Sequence, residues 1–167
     1  MAARAKVAAE PAERVLVMKR VFDAPRELVF KAWTEPQHLV HWSCPHGFTL
    51  THCEGDLRPG GAWRSCMHAP DGRDLWLGGV YREIVAPERL VFTHAWDDAK
   101  GEPGHETVVT VTFAERGGKT EMTFRQAAFE SVGERDGHQG GWTECFDKLA
   151  EYVKTHVDRV NPRSSSL

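Results

Sequence analysis

The sequence predicts an α+β domain: one seven-stranded antiparallel sheet, two short helices after the first strand, and one long helix after the last. Three observations carry this. From Phe48 to Ala127, short strand-like runs are punctuated by turn signals at Pro59-Gly60-Gly61, Pro70-Asp71-Gly72, Ala86-Pro87-Glu88 and Arg116-Gly117-Gly118, as in an antiparallel meander. From about Ser131 to Val157 the pattern changes period: Trp142, Cys145, Phe146, Leu149 and Val153 form an apolar stripe at helical spacing, with Glu144, Asp147, Lys148 and Glu151 mostly on the other side. Such a helix must lie on something, and a single large sheet is the natural partner. Finally, a chain of 167 residues can bury roughly 70% of the surface it would expose unfolded, enough for one proper core.

Each element has a local reason. Arg14 to Phe22 alternates Val15, Val17, Lys19 and Val21 against Leu16, Met18, Arg20 and Phe22, a strand with both faces partly apolar. Asp23-Ala24-Pro25 stops it, and Pro25 opens a helix through Trp33, with Val29, Ala32 and Trp33 as its buried stripe. Thr34-Glu35-Pro36-Gln37 has the spacing of a capping box, which predicts a second short helix to about Trp42 with Leu39 and Trp42 inward. After the loop Cys44-Pro45-His46-Gly47 come strands over about Thr49 to Asp56, Ala62 to His68, Asp74 to Val85, Arg89 to Trp96, His105 to Glu115 and Lys119 to Ala127. Residues 1–13 are expected to be a disordered tail, 14–157 the folded domain, and 158–167 a flexible tail.

Composition narrows the function classes. The apolar fraction of 41% and charged fraction of 27% are those of an ordinary globular domain. With a net charge of −3 and Lys and Arg spread along the chain, no basic block points to nucleic acid. No apolar run reaches membrane-span length, and the Ala-rich start has no apolar signal core, so the expectation is a cytoplasmic protein without a membrane or nucleic-acid partner. Cys44, Cys53, Cys66 and Cys145 form no CxxC pair and are expected as reduced thiols. There is no Gly-x-Ser-x-Gly elbow, no phosphate-cradling loop and no dinucleotide fingerprint, hence no expected cofactor and no assigned catalytic residue. His38 and His41, with Cys44 and His46 just after, hint at metal spacing but lack the i, i+4 pair and carboxylate of a zinc helix, so no metal is expected. Six tryptophans and eight phenylalanines are more telling, because large rings both fill cores and line apolar pockets.

The order of elements, together with Val21-Phe22-Asp23-Ala24-Pro25, Ala32-Trp33-Thr34-Glu35-Pro36, Leu39 through Trp42 to Pro45, Pro59-Gly60-Gly61, the Asp71-Gly72 turn, Gly79-Val80-Tyr81-Arg82-Glu83, Pro87-Glu88-Arg89-Leu90-Val91-Phe92-Thr93 and Gly141-Trp142, resembles the START-like (SRPBCC) superfamily. Within it the chain is most similar to the branch named after the activator of the heat-shock protein 90 ATPase, over about residues 14 to 155. The resemblance implies a helix-grip fold: a curved sheet wrapped around the long C-terminal helix, with a cavity between them. It implies much less about activity, because one fold hosts many functions.

Strand alternation then selects the residues facing that cavity. The expected ligand-binding set is Trp63 and Met67, beside Ser65, on the third strand; Phe92, His94 and Trp96, beyond Leu90, on the fifth; Val109, Val111 and Phe113 on the sixth; Met122, Phe124 and Gln126 on the seventh; and Trp142 and Phe146 on the helix. The fourth strand is ambiguous, because Gly78-Gly79 invites a bulge that would exchange Trp76 and Val80 for Tyr81. Core packing competes with ligand contact for every apolar member. His94 and Gln126 stand out, since a polar side chain among rings needs a partner. Gly140 and Gly141 in the helix suggest close sheet approach, a kink, or cavity space beside Trp142.

The functional expectation is non-catalytic binding of a small, mainly apolar or aromatic molecule between sheet and helix. Two alternatives follow from the resemblance: a polyketide cyclase-like enzyme using His94 with Glu83, Arg125 or Gln126, and a protein-interaction module like the chaperone activator. Homodimerisation through a sheet edge is a further possibility.

Overall fold

The computed structural model describes residues 11–160, with side chains to residue 156. Of the tails expected at residues 1–13 and 158–167, residues 1–10 and 161–167 lie outside the described residues, while 12–13 and 158–160 belong to helical elements. In chain order the elements are β1 (Leu16–Phe22), α1 (Arg26–Thr34), α2 (Pro36–Leu39), β2 (Thr49–Gly55), β3 (Ala62–His68), β4 (Asp74–Val85), β5 (Arg89–Trp96), β6 (Thr107–Arg116), β7 (Lys119–Ala127) and α3 (Val132–Val160). The first described residues are not extended chain: Ala12–Arg14 forms a 3-10 turn, tied to the connection between β7 and α3 by the Phe129 N–H donating to the Arg14 carbonyl at 3.0 Å.

The seven strands form one sheet in the order β1-β7-β6-β5-β4-β3-β2, antiparallel at every step. The meander from β2 to β7 runs neighbour to neighbour, and β1 closes on β7 with Leu16 opposite Gln126 and Phe22 opposite Thr120. Helix α3 lies across the concave face, burying Cys145, Phe146, Leu149 and Val153. Full burial of a side chain such as Phe146 or Leu149 is worth about 1.5–3 kcal/mol, so this stripe alone anchors the helix. The helix sits over the β1-β7-β6 half of the sheet, where Phe146 meets Phe124 at 5.4 Å between ring centroids and Arg20 of β1 pairs with Asp147 at 2.5 Å.

Two local expectations are corrected and one open reading is resolved. The capping box at Thr34 does not form: Pro36 occupies the first helical position, which makes Glu35 the cap residue of α2. The Thr34 hydroxyl instead donates back to the Phe30 carbonyl at 3.0 Å, closing α1. Helix α2 is one turn long and continues to Ser43 as single turns, with Trp42 fully buried and Leu39 half-buried. On β4 the alternation runs straight through the glycines, so Leu77 and Tyr81 are buried while Trp76 and Val80 face outward. The register shift falls one step later, between Tyr81 and Glu83. Gly79 has a different role: a Cβ there would stand 1.9 Å from the Thr93 carbonyl oxygen, and the Val80 N–H is met by the Thr93 hydroxyl at 2.8 Å.

Candidate functional site

Because α3 covers one half of the concave face, the other half, β2 to β5, is left without a helix against it. The N-terminal part of α3, the α2 turn and the loop carrying Pro45 and Phe48 arch over this half and enclose a cavity of about 600 Å³. Its floor follows the pleat: Trp63, Ser65 and Met67 from β3, Leu75, Leu77 and Tyr81 from β4, and Phe92, His94 and Trp96 from β5. Cross-strand pairs Leu77 with Trp96 and Tyr81 with Phe92 fix the spacing of the rings along it. The Trp63 indole sits edge-on to Phe92 at 5.7 Å, and its N–H donates to the Thr93 carbonyl at 3.1 Å.

The roof depends on small residues. Gly133, Gly137 and Gly141, one helical turn apart, line the cavity together with Cys145 below them. A Cβ at Gly137 would meet nothing within 4 Å, and at Gly141 only Pro45 at 3.7 Å. Of the roles open to the glycines, space is therefore the one the geometry supports, since no sheet backbone approaches them.

The thirteen expected residues divide along this boundary. Trp63, Met67, Phe92, His94, Trp96 and Trp142 line the cavity. Val109, Val111, Phe113, Met122, Phe124, Gln126 and Phe146 are buried in the core between the sheet and helices α1 and α3. They share the concave face with the others, but alternation says which face a residue is on and not where along the sheet the helix lies. Trp33 of α1 joins the two regions: it lines the cavity and packs against Trp42, Phe124, Trp142 and Phe146 at 4.8 to 6.2 Å. Strand logic could not reach Trp33, Trp42, Phe48 or the glycine row, although the four-residue glycine spacing was visible in the sequence.

Gln126 has two partners. Its Nε2 donates to the Thr107 hydroxyl and its Oε1 accepts from the Trp142 indole N–H, both at 2.8 Å. Thr107 in turn donates to the His94 carbonyl at 3.2 Å, so a buried chain of hydrogen bonds runs from α3 across β7 and β6 to β5.

The His94 side chain is the reverse case. It is 5% exposed, stands 5.6 to 5.9 Å from the rings of Trp63, Trp96 and His138, and its imidazole makes no hydrogen bond to another residue among the described residues. Burial, with a smaller contribution from His138, pushes its pKa down to about 3, so the ring is neutral near pH 7. His138 accepts the Trp96 indole N–H on Nε2 at 3.0 Å; a neutral ring doing so carries its proton on Nδ1, 2.8 Å from the Glu134 carbonyl. Beyond this pair lies a second cavity of about 180 Å³, which shares His94, Trp96, Glu134 and His138 with the first.

The remaining candidate chemistry is scattered. Glu83 pairs with Arg89 on the outer face, and Arg125 lies on the outward face of β7 opposite Val17 and Thr110. Burial raises the Cys44 and Cys53 thiols and pushes Cys145 up to about 12, opposite to what an activated nucleophile requires. His38 contacts the Tyr152 hydroxyl at 2.5 Å and His41 stacks on the Tyr152 ring at 5.1 Å, an aromatic contact between α2 and α3. No group of three or more potential metal ligands occurs among the described residues, nor is any helix there long and apolar enough to cross a membrane.

Comparison with known proteins agrees with this architecture. A solved structure from Chromobacterium violaceum is 31% identical, with 84% of this chain and 96% of that chain covered at a TM-score of 0.77. One from Nitrosomonas europaea is 26% identical over 87% of this chain and 97% of that one, with a TM-score of 0.75. At 23% identity, the AHSA1 protein from Silicibacter pomeroyi shares the fold, covering 85% of this chain and 99% of its own at a TM-score of 0.77. A search of curated proteins finds no match. The sequence profile of the family described as "Activator of Hsp90 ATPase homolog 1-like protein" matches residues 23–154, nearly the whole described fold, and the chain belongs to that family of START-like helix-grip domains.

Proposed function

We propose that the protein binds a small, mainly apolar molecule carrying an aromatic ring in the 600 Å³ cavity and performs no reaction on it. The observation that carries this reading is the wall itself: Trp33, Trp63, Phe92, Trp96 and Trp142 surround a volume suited to a drug-sized ligand. Such rings offer offset and edge-on contacts to an aromatic guest worth about 0.5–1.5 kcal/mol each beyond area burial. A cyclase-like reaction would ask His94 to take up a proton near neutral pH, and a ring held to about 3 is a weak base for that task. Thiols raised by burial serve nucleophilic catalysis no better.

The test is a titration with a neutral apolar fluorophore, N-phenyl-1-naphthylamine, followed by energy transfer from the cavity tryptophans. Saturable binding at one site per chain with strong transfer is the expected result. A signal that rises without saturating, or saturable binding with no transfer, would remove the reading.

A further inference from the structure

The charge pattern of the two adjoining cavities goes beyond an apolar preference and names the kind of polar end the ligand carries. Among the described residues, no Lys or Arg lines either cavity. The main cavity has one carboxylate on its wall, Glu134, and the smaller one has Asp97, Asp98, Glu130 and Glu134. Asp97 is neutralised by a bidentate pair with Arg64, and Asp98 is occupied by the Lys100 and Glu102 backbone N–H groups. Glu134 and Glu130 have no ion-pair partner among the described residues.

Glu134 also lies in the first turn of α3, where its backbone N–H is capped by the Ser131 hydroxyl at 3.1 Å and its carboxylate offsets the positive end of the helix. The one feature that would welcome an anion is thus already balanced. Between the cavities stands His94, about 95% buried, lining both, with a ring that hydrogen-bonds no other residue among those described. The ring's one hydrogen bond is to its own backbone, and a ligand group at the junction would give its other nitrogen a partner. Trp63 and Trp96 flank His94 at 5.9 and 5.6 Å, and the π system of an indole attracts a cation lying over its face.

From this juxtaposition, and resting on the cavity reading above, we infer that the ligand is a neutral or cationic amphiphile whose ring lies in the main cavity and whose hydroxyl or amine donor sits at the His94–Glu134–His138 junction, and that carboxylate-headed ligands are rejected. A carboxylate placed there would share the site with the like charge of Glu134 and meet no lining cation to offset its loss of hydration.

Three probes sharing one ring separate the possibilities: naphthylethylamine, naphthylethanol and naphthylacetate, titrated against intrinsic tryptophan fluorescence at neutral pH and low salt. The amine and the alcohol are expected to bind about tenfold or more tightly than the carboxylate, the size of effect that one nearby unpaired charge supplies. Glu134→Gln is expected to cut the preference for amine over alcohol by about threefold or more, and unfolding curves check that this exposed substitution leaves the fold intact. If the carboxylate binds as well as its partners, or the amine-to-alcohol ratio ignores Glu134→Gln, the inference fails while the cavity reading stands. If none of the three binds, both fail together.

Discussion

The indole N–H of Trp142 donates to Oε1 of Gln126 across 2.8 Å, and this bond ties the helix that roofs the cavity to the sheet that floors it. Gln126 is fully buried, and its other end is held by Thr107, so the amide cannot turn away from the indole without leaving a second group unpaired. The consequence is measurable. Gln126→Leu keeps much of the volume but strands the Trp142 N–H and removes the donor to the Thr107 hydroxyl, which keeps its own bond to the His94 carbonyl, and is expected to destabilise the protein by about 2 kcal/mol in urea denaturation. Trp142→Phe combined with Gln126→Leu should cost less than the two changes added, with a coupling of about 1 kcal/mol. Strict additivity would show that the bond carries no weight.

Glycines in two settings are expected to respond in opposite directions. A Cβ at Gly79 would stand 1.9 Å from the Thr93 carbonyl oxygen, so Gly79→Ala must push β4 and β5 apart and should cost at least about 2 kcal/mol. At Gly140, exposed and helical, a Cβ would meet nothing within 4 Å, and Gly140→Ala should stabilise by about 0.5–1 kcal/mol. Thermal unfolding of the two variants beside the parent checks both signs.

His94 makes stability depend on pH in a defined window. Above about pH 6.5 the ring is neutral in both folded and unfolded chains and contributes no pH dependence. Between 6.5 and about 3 the unfolded chain holds a proton that the folded chain refuses, so stability falls as pH falls, by at most about 1.4 kcal/mol per pH unit from this group. Carboxylates titrate in the same range, so the informative quantity is the difference between the parent and His94→Gln. The variant should show a flatter loss of stability from pH 6.5 to 4.5, a window set by the depressed pKa. Parallel curves would mean that residue 94 is protonated in the folded state.

Thiol chemistry offers an independent check on burial. Cys44, Cys66 and Cys145 are buried and Cys53 is half-buried. Ellman's reagent is expected to react with Cys53 first in the native protein and with all four thiols only in denaturant. Rapid native labelling of Cys145 would contradict the high pKa that burial gives it.

The sheet, its meander from β2 to β7 and the long helix were legible because each rests on a local signal, namely the turn residues between those strands and the period of Cys145, Phe146, Leu149 and Val153, whereas the pairing of β1 with β7 is a long-range contact with no such signal. The site was legible by halves. Alternation put Phe92, His94 and Trp96 on the same face as Val109 and Phe124, yet only the first three reach the cavity, because the diagonal seat of α3 is set by long-range packing such as Phe124 on Phe146. Gln126 read as a polar side chain in need of a partner, and the structure supplies two from within the protein. For His94 it supplies no other residue, only the ring's own backbone, and that difference is what separates a structural polar residue from a candidate ligand contact.

The central claim, that the space under the glycine row is where a ligand sits, is tested most directly by filling it. Gly137→Leu places an apolar side chain where a Cβ meets nothing, on a helix that leucine favours over glycine by roughly 1 kcal/mol, so the fold should be retained or strengthened. The measurement is the affinity of N-phenyl-1-naphthylamine for Gly137→Leu relative to Gly137→Ala, with unfolding curves for each. The expected result is a loss of at least about tenfold in affinity at equal or greater stability, the effect of one blocked ring contact or more. Equal affinity in the two variants would place the probe outside this cavity and contradict the account.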